Sequence, residues 1–127
     1  MSIRILLVDD HTMFRQGVRQ LLQAQPHFEV VGEAEDGERA CQMVEELEPD
    51  VVVMDVHMPR MDGVRATRTL MQRDKAPAII ILTMSKHDDY VFEAIKAGAR
   101  GYYMKDSDSE DLIRAIEQAA EGETVLE

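Results

Sequence analysis

The sequence predicts an α/β fold: (βα)5, a five-stranded parallel sheet doubly wound with helices on both faces. Three observations carry the prediction. Short apolar runs alternate five times with longer stretches of helical period. Three of the runs, Ile5–Val8, Val51–Met54 and Ile79–Leu82, are continuous rather than alternating, as strands covered on both faces require. Strands joined through helices lie parallel, with right-handed crossovers.

The elements follow in chain order. Ile3–Val8 is the first strand. Phe14, Val18, Leu21 and Leu22 repeat at helical spacing in the first helix, and Pro26 lies past its end. Phe28–Val31, with Glu29 and Glu33 beside its apolar residues, reads as an edge strand. Ala40, Met43, Val44 and Leu47 mark the second helix before Pro49, and Val51–Met54 the third strand. Val64 to Met71 is the third helix, ended before Pro77, and Ala78–Leu82 the fourth strand. Val91, Ala94, Ile95 and Ala97 form the fourth helix, closed by Gly98 as the residue beyond its cap. Gly101–Met104 is the fifth strand. Leu112, Ile113, Ile116 and Ala120 form the last helix, with Ser107 and Ser109 as cap candidates, Glu110 and Asp111 at its positive end and Gly122 after it.

There are no repeats, low-complexity tracts or internal linkers, so residues 1–122 read as one domain and 123–127 as the start of a linker or a tail. The chain has 127 residues, 45% of them hydrophobic and 31% charged, enough for a soluble core without staples. Its formal net charge of −11 argues against gripping nucleic acid or an anionic membrane by itself. A single cysteine, Cys41, excludes an intramolecular disulfide and fits a reducing, cytoplasmic compartment. No stretch reads as a signal peptide or a membrane span.

Ligands of open α/β sheets sit at the carboxyl ends of the strands, beside the point where strand order reverses. The first strand is followed by Asp9-Asp10, the third by Asp55, the fourth by Thr83 and the fifth by Lys105. All parallel strands end on one edge, so these residues can converge. Three carboxylates crowded together resist joint ionisation, so positive charge must compensate. Lys105 supplies one charge; an oxygen-ligated divalent cation would supply two more, and Mg2+ suits such a site. No clustered Cys or His ligands argue for zinc. Lysine and metal would together neutralise and orient a phosphoryl group, toward which a carboxylate is a competent nucleophile.

These residues resemble the receiver domain of two-component response regulators along essentially the whole chain. The elements are Leu7-Val8-Asp9-Asp10-His11, Val53-Met54-Asp55-Val56-His57-Met58-Pro59-Arg60-Met61-Asp62-Gly63, Ile81-Leu82-Thr83-Met84-Ser85 and Ala97-Gly98-Ala99-Arg100-Gly101-Tyr102-Tyr103-Met104-Lys105-Asp106. The last two are most similar to the NarL/FixJ-type subfamily, whose members usually continue into a linker and a helix-turn-helix DNA-binding domain. The resemblance implies the flavodoxin-like strand order 2-1-3-4-5. It implies Asp55 as phosphoacceptor from a sensor histidine kinase, Asp10 as a direct Mg2+ ligand and Asp9 as one through water. Asp55 and the backbone carbonyl of His57 would complete the protein's ligands. Thr83 and Lys105 would hold the phosphoryl oxygens, and Tyr102 would be the aromatic that turns inward when Thr83 moves. The function implied is a phosphorylation-activated switch, catalysing only its own phosphorylation and dephosphorylation and able to form a homodimer. DNA would be bound only through an output domain beyond this chain.

Blander roles stand beside these. Asp9 or Asp10 could cap the first helix. The His57 side chain is expected to line the site without ligating, and His11, His27 and His87 to face solvent. Cys41 and the scattered methionines read as packing, and the basic third-helix region (Arg60, Arg65, Arg68, Arg73, Lys75) as a solvated face. Asp106 stands where many receivers carry proline; a cis bond before a non-proline residue costs about 3 kcal/mol, so trans is expected. Two other functions compete. An aspartyl-nucleophile phosphatase similar to the haloacid dehalogenases needs Asp-x-Asp after the first strand and usually a cap domain. A non-phosphorylated interaction module would not need the full set of five site residues.

Overall fold

A computed structural model describes residues 2–122; residues 123–127, read above as linker or tail, lie outside the described residues. Its elements are β1 (Ile3–Val8), α1 (Thr12–Gln23), β2 (Phe28–Ala34), α2 (Gly37–Leu47), β3 (Val51–Asp55), α3 (Gly63–Met71), β4 (Ala78–Thr83), α4 (Asp89–Lys96), β5 (Gly101–Met104) and α5 (Ser109–Ala120). The strands form one parallel sheet in the order β2-β1-β3-β4-β5, with β2 on an edge. Order reverses after β1, so the switch point lies between the carboxyl ends of β1 and β3.

The continuous apolar runs arise because successive side chains serve opposite layers. Leu6, Val8, Val52, Met54, Ile79 and Ile81 face one core with Ala40, Met43 and Val44 of α2, Val64 and Leu70 of α3, and Val91 and Ala94 of α4. Ile5, Leu7, Val51, Val53, Ile80 and Leu82 face the other, with Leu22 of α1 and Leu112, Ile116 and Ala119 of α5. Cys41 packs half-buried on the rim of the first core, as expected.

Helix ends follow local chemistry in part. Asp36, Asp62 and Asp88 cap α2, α3 and α4, accepting hydrogen bonds from the backbone N–H of Arg39, Arg65 and Tyr90. Gly98 sits at φ 121°, and the Gly98 and Ala99 N–H groups donate to the carbonyls of Ile95 and Ala94, closing α4 in a Schellman motif. Two cap expectations are corrected. At α5 the cap position is Asp108, between the two serines, and it makes no side-chain cap bond. The loop before it is instead pinned by the Tyr103 hydroxyl, 2.7 and 2.8 Å from the carbonyls of Ser107 and Asp108. At α1 the cap position is His11, also without a side-chain cap bond, because the Asp9 carboxylate turns back to accept from the His11 N–H. No described peptide is cis.

Candidate functional site

Each candidate residue stands where a strand leaves the sheet. Asp9 follows β1 and is buried, its N–H donating to the Ala34 carbonyl of the edge strand. Asp10 beside it is exposed. Asp55 closes β3 and is buried. Lys105 follows β5, with its N–H on the Thr83 carbonyl at 2.8 Å. The α3 N-terminus packs directly on the Asp55 strand end: a Cβ on Gly63 would lie 2.6 Å from the Asp55 carbonyl oxygen, so only glycine fits there.

The ammonium of Lys105 binds the site together, 2.8 Å from Asp9 Oδ2 and 3.0 Å from Asp55 Oδ2. Its side chain is only 7% exposed, and the Nζ stands 4.6 Å from the Phe14 ring centroid. Burial alone would lower the Lys105 pKa, but Asp55 and Asp9 outweigh it and hold it above the ordinary lysine value. Burial likewise pushes the Asp55 carboxyl up; Lys105 pulls it back and the Asp9 charge adds to the rise, so it ends above the ordinary range. Three carboxylates face one lysine, which leaves two negative charges without a lysine to match them.

Ligand atoms of Asp9, Asp10, His11 and Asp55 lie within 4.8 Å of one another. Asp9 Oδ2 is buried, with the Lys105 ammonium 2.8 Å away as its ion-pair partner. Clustered carboxylate oxygens with a local charge of −2, two of the groups buried, are the environment a divalent cation fits.

The other predicted residues are placed less directly. Thr83 is buried at the end of β4, but its hydroxyl donates to the Ser85 carbonyl at 3.0 Å and accepts from the Ser85 N–H at 3.2 Å. Its hydrogen bonds therefore run to its own loop and not to Asp55 or Lys105. Tyr102 is half-buried on β5, paired in register with Ile81, and packs on the α2–α3–α4 core. The backbone N–H of His57 reaches Asp55 Oδ1 at 3.3 Å. Its side chain is turned to the start of α4, with Nε2 2.6 Å from Asp88 Oδ2 and the ring 4.7 Å from that of Tyr90.

Two side chains near the strand ends are placed in ways the sequence did not foretell. Arg60, in the loop after β3, adopts φ 66° and is held there by Asp36, whose Oδ2 is 2.7 Å from its guanidinium. His11, expected to face solvent, has its Nδ1 2.9 Å from Asp9 and 3.6 Å from both Asp10 and Asp55. Its place next to the aspartate pair was the only available signal.

A doubly wound α/β domain with two buried aspartates, a third exposed one and a lysine at its switch point defines a class: an acidic strand-end site suited to a cation. Comparison narrows the class to a family. Residues 5–117 match the response regulator receiver domain, and the chain belongs to that family. Among curated proteins it is 47% identical over 123 residues to the transcriptional regulatory protein DegU of Brevibacillus brevis, covering 95% of this chain and 51% of that one. It is 43% identical to the nitrate/nitrite response regulator protein NarL of Escherichia coli, covering 96% and 56%. The chain thus spans about half the length of these relatives. Among solved structures, a LuxR-family two-component response regulator from an Aurantimonas species superimposes with a TM-score of 0.92 at 40% identity, covering 100% of this chain and 90% of that one. The response regulator domain of Thermotoga maritima CheB gives a TM-score of 0.87 at 30% identity, covering 95% and 98%.

Proposed function

We propose that this domain is a phosphorylation-activated switch with Asp55 as phosphoacceptor. The observation that carries the reading is the Asp55 carboxylate itself: it is buried at the switch point, bound by Lys105 and set in an acidic cluster short of two positive charges. Asp9, Asp10, Asp55 and the backbone carbonyl of His57 would hold Mg2+. Bound there, the ion would neutralise phosphoryl oxygens during transfer. The Asp55 oxygen attacks phosphorus on a phosphohistidine of a sensor kinase. A P–O bond forms, the P–N bond breaks, and its electron pair returns to the kinase imidazole, which takes up a proton. Lys105 holds a phosphoryl oxygen, and Thr83 gives up Ser85 to do the same. Movement of Thr83 opens space for Tyr102 to turn further inward.

The domain would act in the cytoplasm, dimerise when phosphorylated and control DNA through a separate output domain; none of the described helices is long and apolar enough to cross a membrane. Incubation with a small phosphodonor and Mg2+, followed by intact mass, tests the reading. A single stable phosphoryl adduct is expected. Rapid turnover without an adduct would identify a phosphatase, and no reaction a docking module.

Two expected results belong to this reading. The folded state gathers carboxylates that the unfolded chain disperses, so Mg2+ at about a hundred times its dissociation constant should stabilise by roughly 2.7 kcal/mol. For a domain of this size that raises the melting temperature by about 10 °C. Asp10→Ala should lose most of the gain; a melting curve indifferent to millimolar Mg2+ argues against the metal site. Thr83→Ala should still accept phosphate but transmit it poorly. NMR shifts on α4, β5 and α5 that respond to phosphorylation equally in variant and parent would refute the Thr83–Tyr102 route.

A further inference from the structure

We propose that His11 is a fourth protein side chain on the metal, making the pocket an imidazole-bearing site that favours first-row transition dications over Mg2+. The inference rests on the metal-site reading above and adds to it a ligand and a selectivity.

The geometry around His11 Nδ1 motivates it. The nitrogen is 2.9 Å from Asp9 Oδ1, 3.6 Å from Asp10 Oδ1, 3.6 Å from Asp55 Oδ2 and 3.2 Å from Lys105 Nζ. Toward a carboxylate a ring nitrogen can only donate; toward an ammonium it can only accept. One tautomer of the neutral ring satisfies Asp9 and turns N–H against N–H at Lys105. The other satisfies Lys105 and aims a lone pair at three carboxylates. The imidazolium would face the lysine with like charge. Hydrogen bonding therefore leaves one of these contacts frustrated in each state of the ring. A cation among the four ligand atoms takes up the lone pair that the three carboxylates otherwise repel, and Lys105 keeps its contacts with Asp9 and Asp55.

The spacing agrees. Neighbouring ligands of an octahedral ion, each about 2.1 Å from it, lie about 3 Å apart. Nδ1 meets the three oxygens at 2.9 to 3.6 Å, and all four ligand atoms fall within 4.8 Å of one another. The His11 side chain is 65% exposed, so it stands at the mouth of the pocket, where an ion would enter. Chemistry then sets the preference. Imidazole is a poor partner for Mg2+ and a good one for Ni2+, Zn2+ and Fe2+, and affinity rises along the transition series from Mn2+.

The test uses Mn2+ as spectroscopic probe and Ni2+ as selectivity probe. Mn2+ bound to the parent should show a 14N coupling by pulsed electron spin resonance. That coupling should shift to 15N when histidine is labelled, vanish in His11→Gln and persist in His57→Gln. In calorimetric competition, His11→Gln should lower the Ni2+ over Mg2+ preference at least about tenfold, the loss that even an outer-sphere partner produces. An oxygen-only Mn2+ spectrum in the parent, a coupling that survives His11→Gln, or an unchanged preference would overturn the proposal while leaving the carboxylate site standing. Failure of Mn2+ and Mg2+ to bind the parent at all would overturn the site reading and this inference together.

Discussion

Asp55→Asn should leave the chain folded and unable to carry a phosphoryl group. An amide is a far weaker nucleophile than a carboxylate and a poorer ligand for a hard cation, so the adduct seen by intact mass in the parent should be absent. The effect is all-or-none because no second carboxylate has the same position. Asp9 is as buried as Asp55 but stands on the Arg15 and β2 side of the site, where its backbone carbonyl accepts from the Arg15 guanidinium. Asp10 is exposed. The fold should tolerate the change for an electrostatic reason. Burial raises the Asp55 pKa, so its contribution to stability is full below the unfolded value and is lost as pH rises through the folded one. Near pH 7 the ionised group is therefore a liability in the absence of metal. Asparagine removes that charge and keeps the shape, so without Mg2+ the variant should melt at or above the parent. With Mg2+ the order should reverse. A phosphoryl adduct on the variant would move the acceptor elsewhere.

Much of this architecture is legible in the sequence because it is written at the level of strands. A run such as Val51-Val52-Val53-Met54 has to be covered on both faces, and the structure places Val51 and Val53 in one core and Val52 and Met54 in the other. Once the strands are parallel, everything that follows a strand lies on one edge, and Asp9, Asp55, Thr83 and Lys105 follow from that alone. What the sequence hides is decided by side-chain rotation and close approach. Nothing in Thr83-Met84-Ser85 says that the threonine hydroxyl turns to Ser85 rather than to the acidic cluster. Ser107, Asp108 and Ser109 are equally good cap formers, so composition does not choose among them; the helix starts from Asp108, with the Tyr103 hydroxyl bound to the Ser107 and Asp108 carbonyls. His11 looks like an ordinary surface histidine because exposure is the correct expectation for most of its ring. Only the curl of the chain off β1, set by the Asp9 carboxylate accepting from the His11 N–H, swings its Nδ1 over the site.

Lys105→Met should convert a stable domain into one that depends on a divalent cation or on acid to stay folded. Methionine keeps a flexible apolar stem to lie near Phe14, so the change isolates the charge. In the parent, the Lys105 pKa is raised in the folded state, so its contribution is complete below the unfolded lysine value and lost only as pH rises through the folded one. At neutral pH it is fully present. Removing it strands Asp9 and Asp55, both buried, without a cation. Breaking a buried pair from one side costs about 3–5 kcal/mol, and here one lysine serves two carboxylates. In chelator at pH 7 the variant should melt more than 10 °C below the parent, on the scale of about 3–4 °C per kcal/mol. The deficit should follow the carboxylates. Burial already raises the Asp55 pKa and the lysine no longer pulls it back, so protonation of Asp55 relieves the strain as pH falls and the two melting curves draw together in mildly acidic buffer. Mg2+ should do the same at neutral pH, with a larger shift in the variant than in the parent, since the ion then offsets three carboxylate charges rather than two net ones. Equal melting temperatures for variant and parent in chelator at pH 7 would mean that Lys105 does not hold the cluster together. The 2.8 and 3.0 Å contacts would then describe proximity without stabilisation.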